Sequence, residues 1–176
     1  MVVSSPDLKA FLIATPFFAG LSDADLDLLV SMLVEHRLDA GATVVTEGET
    51  GRSMYVVHSG ELSVSKLGDS GRSIRVAGLG PGDFFGEMTL IEPHGRSATV
   101  ITESPTVLYE LSRPMLAPLL DERPGLIDEL ASAMTQNRQR DRQRLAAATA
   151  GGDSGAAAGG RVQQLATRIR AWLQAL

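Results

Sequence analysis

The sequence predicts a mainly β fold, an antiparallel barrel or jelly roll with helical segments on either side. Seven short runs with strand character lie between Val34 and Leu111, and turns that contain Gly or Pro separate them. Apolar residues at helical spacing occur before and after this stretch. At 176 residues, the chain is long enough for one such domain with additional segments.

The N-terminal segment is predicted to be helical. Ser22 can cap a helix whose first turn contains Asp23 and Asp25, where the helix dipole favours carboxylates. One apolar stripe follows at helical spacing: Leu26, Leu29, Val30 and Leu33. An apolar group before it predicts a short helical lead-in packed on the same core: Phe11, Leu12, Phe17, Phe18 and Leu21.

The central segment supplies the strands of the predicted barrel. The predicted strands are Val34–Leu38, Thr43–Thr46, Met54–His58, Leu62–Leu67, Ile74–Gly78, Ala98–Ile101 and Val107–Leu111. Gly-rich turns between short runs at regular spacing are typical of antiparallel barrels and jelly rolls.

Two helices are predicted after the last strand. Ser112 can cap the first, with Pro114 in its first turn, and Pro124-Gly125 ends it. The second runs from Leu126 to about Leu145. Its apolar face consists of Leu126, Ile127, Leu130, Ala131 and Met134.

The chain then changes composition, which predicts three parts. We expect a domain over residues 1–145 and a flexible Ala/Gly-rich linker over residues 146–160. Residues 161–176 are predicted to form an amphipathic helix that includes Trp172. We expect self-association, another part of a larger protein, or lipid to stabilise this helix, because a helix this short is marginal in water.

Composition excludes several classes of function. The net charge of −5 argues against non-specific nucleic-acid binding, which requires a basic surface. The absence of Cys excludes disulfides, thiolate metal sites and a Cys nucleophile. His36, His58 and His94 lack the spacing of metal ligands. We therefore expect no metal site. No acid, base and nucleophile converge, so we also expect no catalysis. The absence of Cys fits a cytoplasmic location.

The segment from Gly82 to Val100 has the parts of a small anion site with a sugar clamp. Gly86 permits close approach of a ligand, and Glu87 offers an acceptor to a sugar hydroxyl. A short turn over Met88–Leu90 presents N–H groups, and the Arg96 guanidinium matches phosphate oxygens. The alternative is a structural ion pair between Glu87 and Arg96, and the loop alone leaves both interpretations open.

The chain resembles the cyclic nucleotide-binding domain family over about Phe17 to Arg138. The glycine framework of that family is matched by Gly41, Val45, Gly48, Gly51, Tyr55, Val57, Gly60 and Val64. Its phosphate-binding cassette is matched by Phe85–Leu90 and Arg96–Val100. The resemblance implies a β-roll, that is a double-stranded jelly-roll barrel, with an N-terminal helical segment and C-terminal lid helices.

The resemblance also implies roles for cassette residues. Glu87 would accept a hydrogen bond from the ribose 2′-hydroxyl, and the Gly86 backbone would line the same site. Arg96 would bind the exocyclic oxygens of the cyclic phosphate, and Ser97 would add a phosphate contact. Thr89 stands where Ala is commonest in the family, and we expect little loss from its hydroxyl. The predicted ligand-binding residues are Gly86, Glu87, Met88, Thr89, Arg96, Ser97, Asn137 and Arg138.

Two further expectations concern the base and the lid. In the family, Thr directly after the cassette Arg accompanies cGMP and Ala accompanies cAMP. Ser97 has the hydroxyl without the methyl, so we expect cAMP to bind at least as tightly as cGMP. Asn137 and Arg138, with Met134, are candidates for the contact of the lid with the base, and a solvent-exposed role for Asn137 and Arg138 is the alternative.

The resemblance is greatest to sensor domains of bacterial cyclic-nucleotide-gated or mechanosensitive-type channels. It predicts the cytosolic sensor of such a channel, with a membrane reached only through that parent protein and a partner contacted by the C-terminal helix. A stand-alone domain and a transcription regulator are the alternatives. The acidic charge and the lack of a following helix-turn-helix argue against the regulator, so we expect no nucleic-acid partner.

Overall fold

The computed structural model describes residues 5–18, 20–68, 71–90, 95–125, 127–128, 130–136 and 139. The strands are β1 (Val34–Leu38), β2 (Thr43–Val45), β3 (Ser53–Ser59), β4 (Leu62–Leu67), β5 (Ser73–Leu79), β6 (Phe84–Phe85), β7 (Thr99–Thr102) and β8 (Thr106–Ser112). The helices are α1 (Ser5–Ala14), α2 (Asp23–Met32) and α3 (Arg113–Glu122), with 3-10 helices at Pro16–Phe18 and Glu87–Leu90. Residues 127–128 and 130–136 are also helical.

The strands form two antiparallel four-stranded sheets. The first has the order β1-β8-β3-β6 and the second has the order β2-β7-β4-β5. Apart from β4 and β5, the paired strands are not consecutive in sequence, so the chain passes repeatedly between the sheets, as in a jelly roll. The predicted fold class, mainly β with flanking helices, is confirmed.

All seven predicted strands are present, and each observed strand end lies within one residue of the predicted end. The sequence prediction missed β6, which has two residues and is too short to show a period. β6 pairs with β3 through Tyr55↔Phe85 and Val56↔Phe84. This pairing brings the segment that follows β6 to the beginning of β3.

The core has two parts on opposite faces of the first sheet. One lies between the sheets and contains Val45, Val57, Leu62, Leu79, Val100 and Leu108. The larger part joins the outer face of the first sheet to the helices and includes Met54, Val56, Phe84, Tyr109 and Leu111. β3 is therefore apolar on both faces, as expected for a strand covered on both sides.

The helices cover the outer face of the first sheet. Phe17, Phe18, Leu26 and Leu29 are almost completely buried, as predicted. α1 begins at Ser5, earlier than the predicted lead-in, and α2 ends at Met32, so Leu33 is its C-cap rather than part of the helical stripe.

The predicted break at Pro124-Gly125 is present, and the helical residues after it enter the same core. The buried members of the predicted apolar face are Ile127, Leu130, Ala131 and Met134. Leu126, the linker over residues 146–160 and the tail over residues 161–176 lie outside the described residues, so the domain boundaries stay predictions. In the described part of the chain, no helix has the length and apolar character needed to cross a membrane.

A hydrogen-bonded cluster joins α2 to the end of α3. Ser22 caps α2: its hydroxyl accepts from the backbone N–H of Asp25 at 3.3 Å, and the Asp25 carboxylate accepts from the Ser22 backbone N–H at 2.9 Å. Arg123, the C-cap of α3, forms an ion pair with the same carboxylate. Burial opposes ionisation of Asp25, but the hydrogen bonds from Ser22 and Arg123 outweigh it and lower the pKa of Asp25.

Asp25→Asn should lower the free energy of unfolding by about 1–2 kcal/mol at pH 7, because it removes a capping carboxylate and a charge partner. The pKa of Asp25 is lower in the folded state, so its contribution is complete above the unfolded pKa of about 3.9 and is lost as the pH falls further. Urea unfolding of both proteins at pH 7 and pH 3 measures this.

Asp23→Asn is the matched control, since the Asp23 side chain is in the same helical turn and is 86% exposed. It should change stability much less. An Asp25→Asn effect no larger than the Asp23→Asn effect, or one that does not shrink at low pH, would contradict this account.

Candidate functional site

The site is built on the segment that follows β6. Gly86 leaves that strand with φ of +81°, a left-handed conformation that favours glycine, and the 3-10 helix Glu87–Leu90 begins directly after it. A Cβ atom on Gly86 would overlap Nη1 of Arg96 and lie 3.0 Å from the Ser53 carbonyl oxygen. Glycine is required here by both the backbone turn and the neighbouring guanidinium.

A second glycine borders the guanidinium of Arg96. A Cβ atom on Gly51 would overlap Cζ and Nε of Arg96. The guanidinium therefore lies in a slot between Gly51 and Gly86. Only glycine at these two positions leaves enough room for it.

The backbone of Arg96 is fixed by the turn between β2 and β3. Its N–H donates to the Glu49 carbonyl at 2.8 Å, and its carbonyl accepts from the Gly48 N–H at 2.9 Å. An isolated bridge between Thr50 and Gly95 continues this pairing. The glycine turn thus sets the position from which the Arg96 side chain enters the slot.

The guanidinium is held by groups from β3 and from the 3-10 helix Glu87–Leu90. Nη1 donates to the Ser53 carbonyl at 2.8 Å and to the Thr89 hydroxyl at 3.3 Å. The Arg96 Cζ atom lies 5.8 Å from the centre of the Tyr55 ring, and Tyr55 stacks on Phe85 at 5.3 Å. Arg96 is 9% exposed, so its charge is largely removed from water.

The charges around Arg96 compensate in part for its burial. Burial lowers the pKa of Arg96, while Tyr55 and the carboxylates of Glu110, Glu49 and Glu87 act in the opposite direction. An arginine keeps its proton at neutral pH. The slot therefore presents a fixed positive charge that interacts electrostatically with Glu87, a residue that is itself only 6% exposed.

The structure brings most of the predicted site residues together. Gly86, Glu87, Met88 and Thr89 form one continuous segment, and Thr89 contacts Arg96 directly. Ser97 follows Arg96 and is exposed at the surface. Asn137 and Arg138 lie outside the described residues, so their predicted role in the lid stays a prediction.

The sequence did not indicate three neighbours of the Arg96 guanidinium, which are Ser53, Gly51 and Tyr55. The Ser53 carbonyl is a backbone group, and no side-chain pattern identifies the carbonyl that an arginine will contact. Gly51 and Tyr55 were noted as part of the glycine framework, but nothing in their spacing showed that they border Arg96. In the described part of the chain, no group of His, Asp and Glu residues could hold a metal ion.

Residues 35–123 match the model of the cyclic nucleotide-binding domain, which is just over half of the chain. The chain belongs to this family.

Relatives with different effectors share this domain. The cAMP-dependent protein kinase regulatory subunit of Yarrowia lipolytica is 36% identical over 63% of this chain and 30% of its own length. A CRP-like cAMP-activated global transcriptional regulator of Mycobacterium tuberculosis is 30% identical over 73% of this chain and 58% of its length. A Rhodopseudomonas palustris protein, provisionally named a potassium channel, is 34% identical over 63% of this chain and 26% of its length. The chain thus matches less than two thirds of each of these relatives.

Solved structures agree in fold. The regulatory domain of Toxoplasma gondii PKA, crystallised with cAMP, is 31% identical, with a TM-score of 0.62 over 80% of this chain and 55% of its own. A cyclic nucleotide-binding domain from Methylobacillus flagellatus has a TM-score of 0.71 at 24% identity, covering 84% of this chain and 87% of its own.

Gly51→Ala should weaken binding of cAMP about tenfold, because the added Cβ atom would displace the Arg96 guanidinium. The domain should still fold, since the atoms displaced are at the mobile end of a side chain. Gly80→Ala is the control, because a Cβ atom there meets nothing within 4 Å. Calorimetric titration of both variants measures this, and equal affinities would contradict the slot.

Proposed function

We propose that this chain is a regulatory, non-catalytic domain that binds a cyclic nucleoside monophosphate, with cAMP bound at least as tightly as cGMP. The single observation that carries the proposal is the buried Arg96 guanidinium in its glycine slot, beside the buried carboxylate of Glu87. The proposed contacts are made by Gly86, Glu87, Met88, Thr89, Arg96 and Ser97. The domain needs no cofactor.

Arg96 and Glu87 divide the recognition of the ligand. A cyclic phosphate keeps one negative charge at neutral pH, and Arg96 offers it a planar, permanently charged donor. Glu87 is an acceptor and suits the ribose 2′-hydroxyl. Both groups are largely removed from water, which strengthens their interactions with a ligand that replaces water in the site.

Binding is transmitted through the core that the site shares with the C-terminal helix. Leu90 at the end of the cassette is 1% exposed, and Met88 packs against the same cluster. Ile127, Leu130 and Met134 belong to that cluster too. A ligand that binds one arrangement of the cassette more tightly therefore shifts the packing of this helix, and we propose that Asn137 and Arg138 complete the closed state.

The choice of base follows from Ser97 and from the relatives. Ser97 is exposed beside Arg96 and offers a hydroxyl without the methyl group of threonine. The Yarrowia and Mycobacterium relatives are named for cAMP, and so is the solved complex of the Toxoplasma domain. A cGMP-dependent protein kinase of Toxoplasma gondii is also similar, at 36% identity, so we expect discrimination between the two bases of less than tenfold.

The effector we propose is a bacterial ion channel, with this domain as its cytoplasmic sensor. The potassium channel relative supports it. The alternative is a transcription regulator, which would have DNA as a partner. The Mycobacterium relative favours this alternative, because that relative matches a larger share of this chain than the potassium channel relative does. The full reading frame of the gene distinguishes the two effectors. Encoded membrane spans would support the channel, whereas an encoded helix-turn-helix would support the regulator and contradict the channel.

Arg96→Ala should weaken cAMP binding by about one to two orders of magnitude, because it removes a charge-assisted contact of roughly 1.5–3 kcal/mol. Arg96→Lys should recover only part of this loss, since lysine keeps the charge without the planar fork. Fluorescence competition or calorimetry measures both. Affinity like that of the unmodified protein in folded Arg96→Ala would refute the site.

Glu87→Ala should weaken the binding of cAMP. The unmodified protein should bind 2′-deoxy-cAMP poorly, because this ligand lacks the hydroxyl that donates a hydrogen bond to Glu87. Glu87→Ala should therefore lower the affinity for 2′-deoxy-cAMP little further. Arg96→Ala should weaken the binding of cAMP and of 2′-deoxy-cAMP by the same factor, because the two ligands have the same cyclic phosphate. A purely structural ion pair between the two residues predicts the opposite pattern: both variants would melt earlier without ligand, and neither would respond to the ribose change.

A further inference from the structure

Thr89 is the one cassette side chain that contacts Arg96 directly through a hydroxyl. The residue is 4% exposed. Its Oγ1 atom lies 2.7 Å from the Gly86 carbonyl oxygen, 3.1 Å from the Ser53 carbonyl oxygen and 3.3 Å from Nη1 of Arg96. A hydroxyl has one hydrogen and two lone pairs, so the hydrogen goes to a carbonyl and a lone pair faces Nη1.

This arrangement occupies one of the three nitrogens of the guanidinium. Nη1 carries two hydrogens, and its two acceptors are Ser53 and Thr89. The planar group has five N–H donors in fixed directions. Once Nη1 is engaged, the free edge for a bidentate contact is the one formed by Nε–H and Nη2–H.

We propose that the Thr89 hydroxyl is a positioning group for Arg96, which fixes Nη1 so that the Nε and Nη2 edge is presented to the cyclic phosphate. The inference rests on the proposed function of the site. It goes beyond that function because it assigns Thr89 a role that acts on Arg96 and not on the ligand. Its energetic effect is preorganisation: the guanidinium is oriented before ligand arrives, so less rotational freedom is lost on binding.

A steric role for Thr89 makes a different prediction. If the side chain only filled space, an isosteric residue without the hydroxyl would serve equally well. If the hydroxyl only stabilised the fold, its loss would lower the melting temperature and would affect affinity equally with or without Arg96. Coupling to Arg96 is therefore the readout that separates positioning from structure.

The test is a double-mutant cycle on the whole chain with cAMP as the probe. Thr89→Val keeps the shape and removes the hydroxyl, and it should weaken binding about fivefold to tenfold. Thr89→Ser keeps the hydroxyl and should bind within about threefold of the unmodified protein. In the Arg96→Ala background, Thr89→Val should add less than a twofold loss.

Thr102→Val is the matched control, because Thr102 is a buried threonine whose hydroxyl also contacts carbonyl oxygens, those of Asp39 and Ala42, away from Arg96. It should lower the melting temperature and leave affinity unchanged. If Thr89→Val does not fold, Thr89→Ala takes its place in the same cycle.

The possible failures are distinct. If the unmodified protein does not bind cAMP, the proposed function is wrong. If it binds and Arg96→Ala weakens binding, but Thr89→Val binds normally or loses affinity equally in both backgrounds, the function stands and the positioning role is refuted. Failure of Thr89→Ser to restore affinity would also overturn it.

Discussion

The buried guanidinium of Arg96 constrains the structure around it. Removing a charge from water costs several kcal/mol unless donors are satisfied and opposite charges lie near. Here Ser53 and Thr89 accept from the same nitrogen, Tyr55 lies over the group, and Glu87 is among the carboxylates that favour the charged form. These compensations come from β3 and the cassette, and the glycine turn fixes the Arg96 backbone, so the three elements must meet at one place.

Strand β3 connects this site to the rest of the domain. Its carbonyl at Ser53 receives Arg96, its Tyr55 faces the guanidinium, and Met54 and Val56 enter the core shared with the helices. The cassette and the described helical residues after Pro124-Gly125 therefore share one core. This shared core is the physical connection that the proposed transmission of binding to the C-terminal helix requires.

Much of this could be predicted from the sequence because the strands are separated by recognisable turns. The seven predicted strands and the break at Pro124-Gly125 depend on local composition, which the sequence displays. β6 could not be predicted, since two residues of strand exist only through pairing with β3. In the site, residue type points to Glu87 and Arg96 but leaves a structural ion pair open, and it is the family resemblance that predicts their roles in ligand binding.

The partners of Arg96 were harder to predict, for a physical reason. The Ser53 carbonyl belongs to the backbone, and the Gly51 slot depends on how two turns approach each other. Thr89 was expected to be merely tolerated, whereas its hydroxyl joins the hydrogen bonds of the guanidinium. Such contacts arise from tertiary geometry, which a single sequence does not encode in any local pattern.

The central claim is that the Arg96 slot receives a cyclic phosphate attached to a nucleoside. Parallel calorimetric titrations of the unmodified chain with cAMP and with adenosine test this most directly, because the two ligands share the base and differ in the phosphate ring. The account predicts saturable binding of one cAMP per chain, with adenosine bound at least a hundredfold more weakly, about 2.7 kcal/mol. Absence of cAMP binding, or equal affinity for the two ligands, would contradict it.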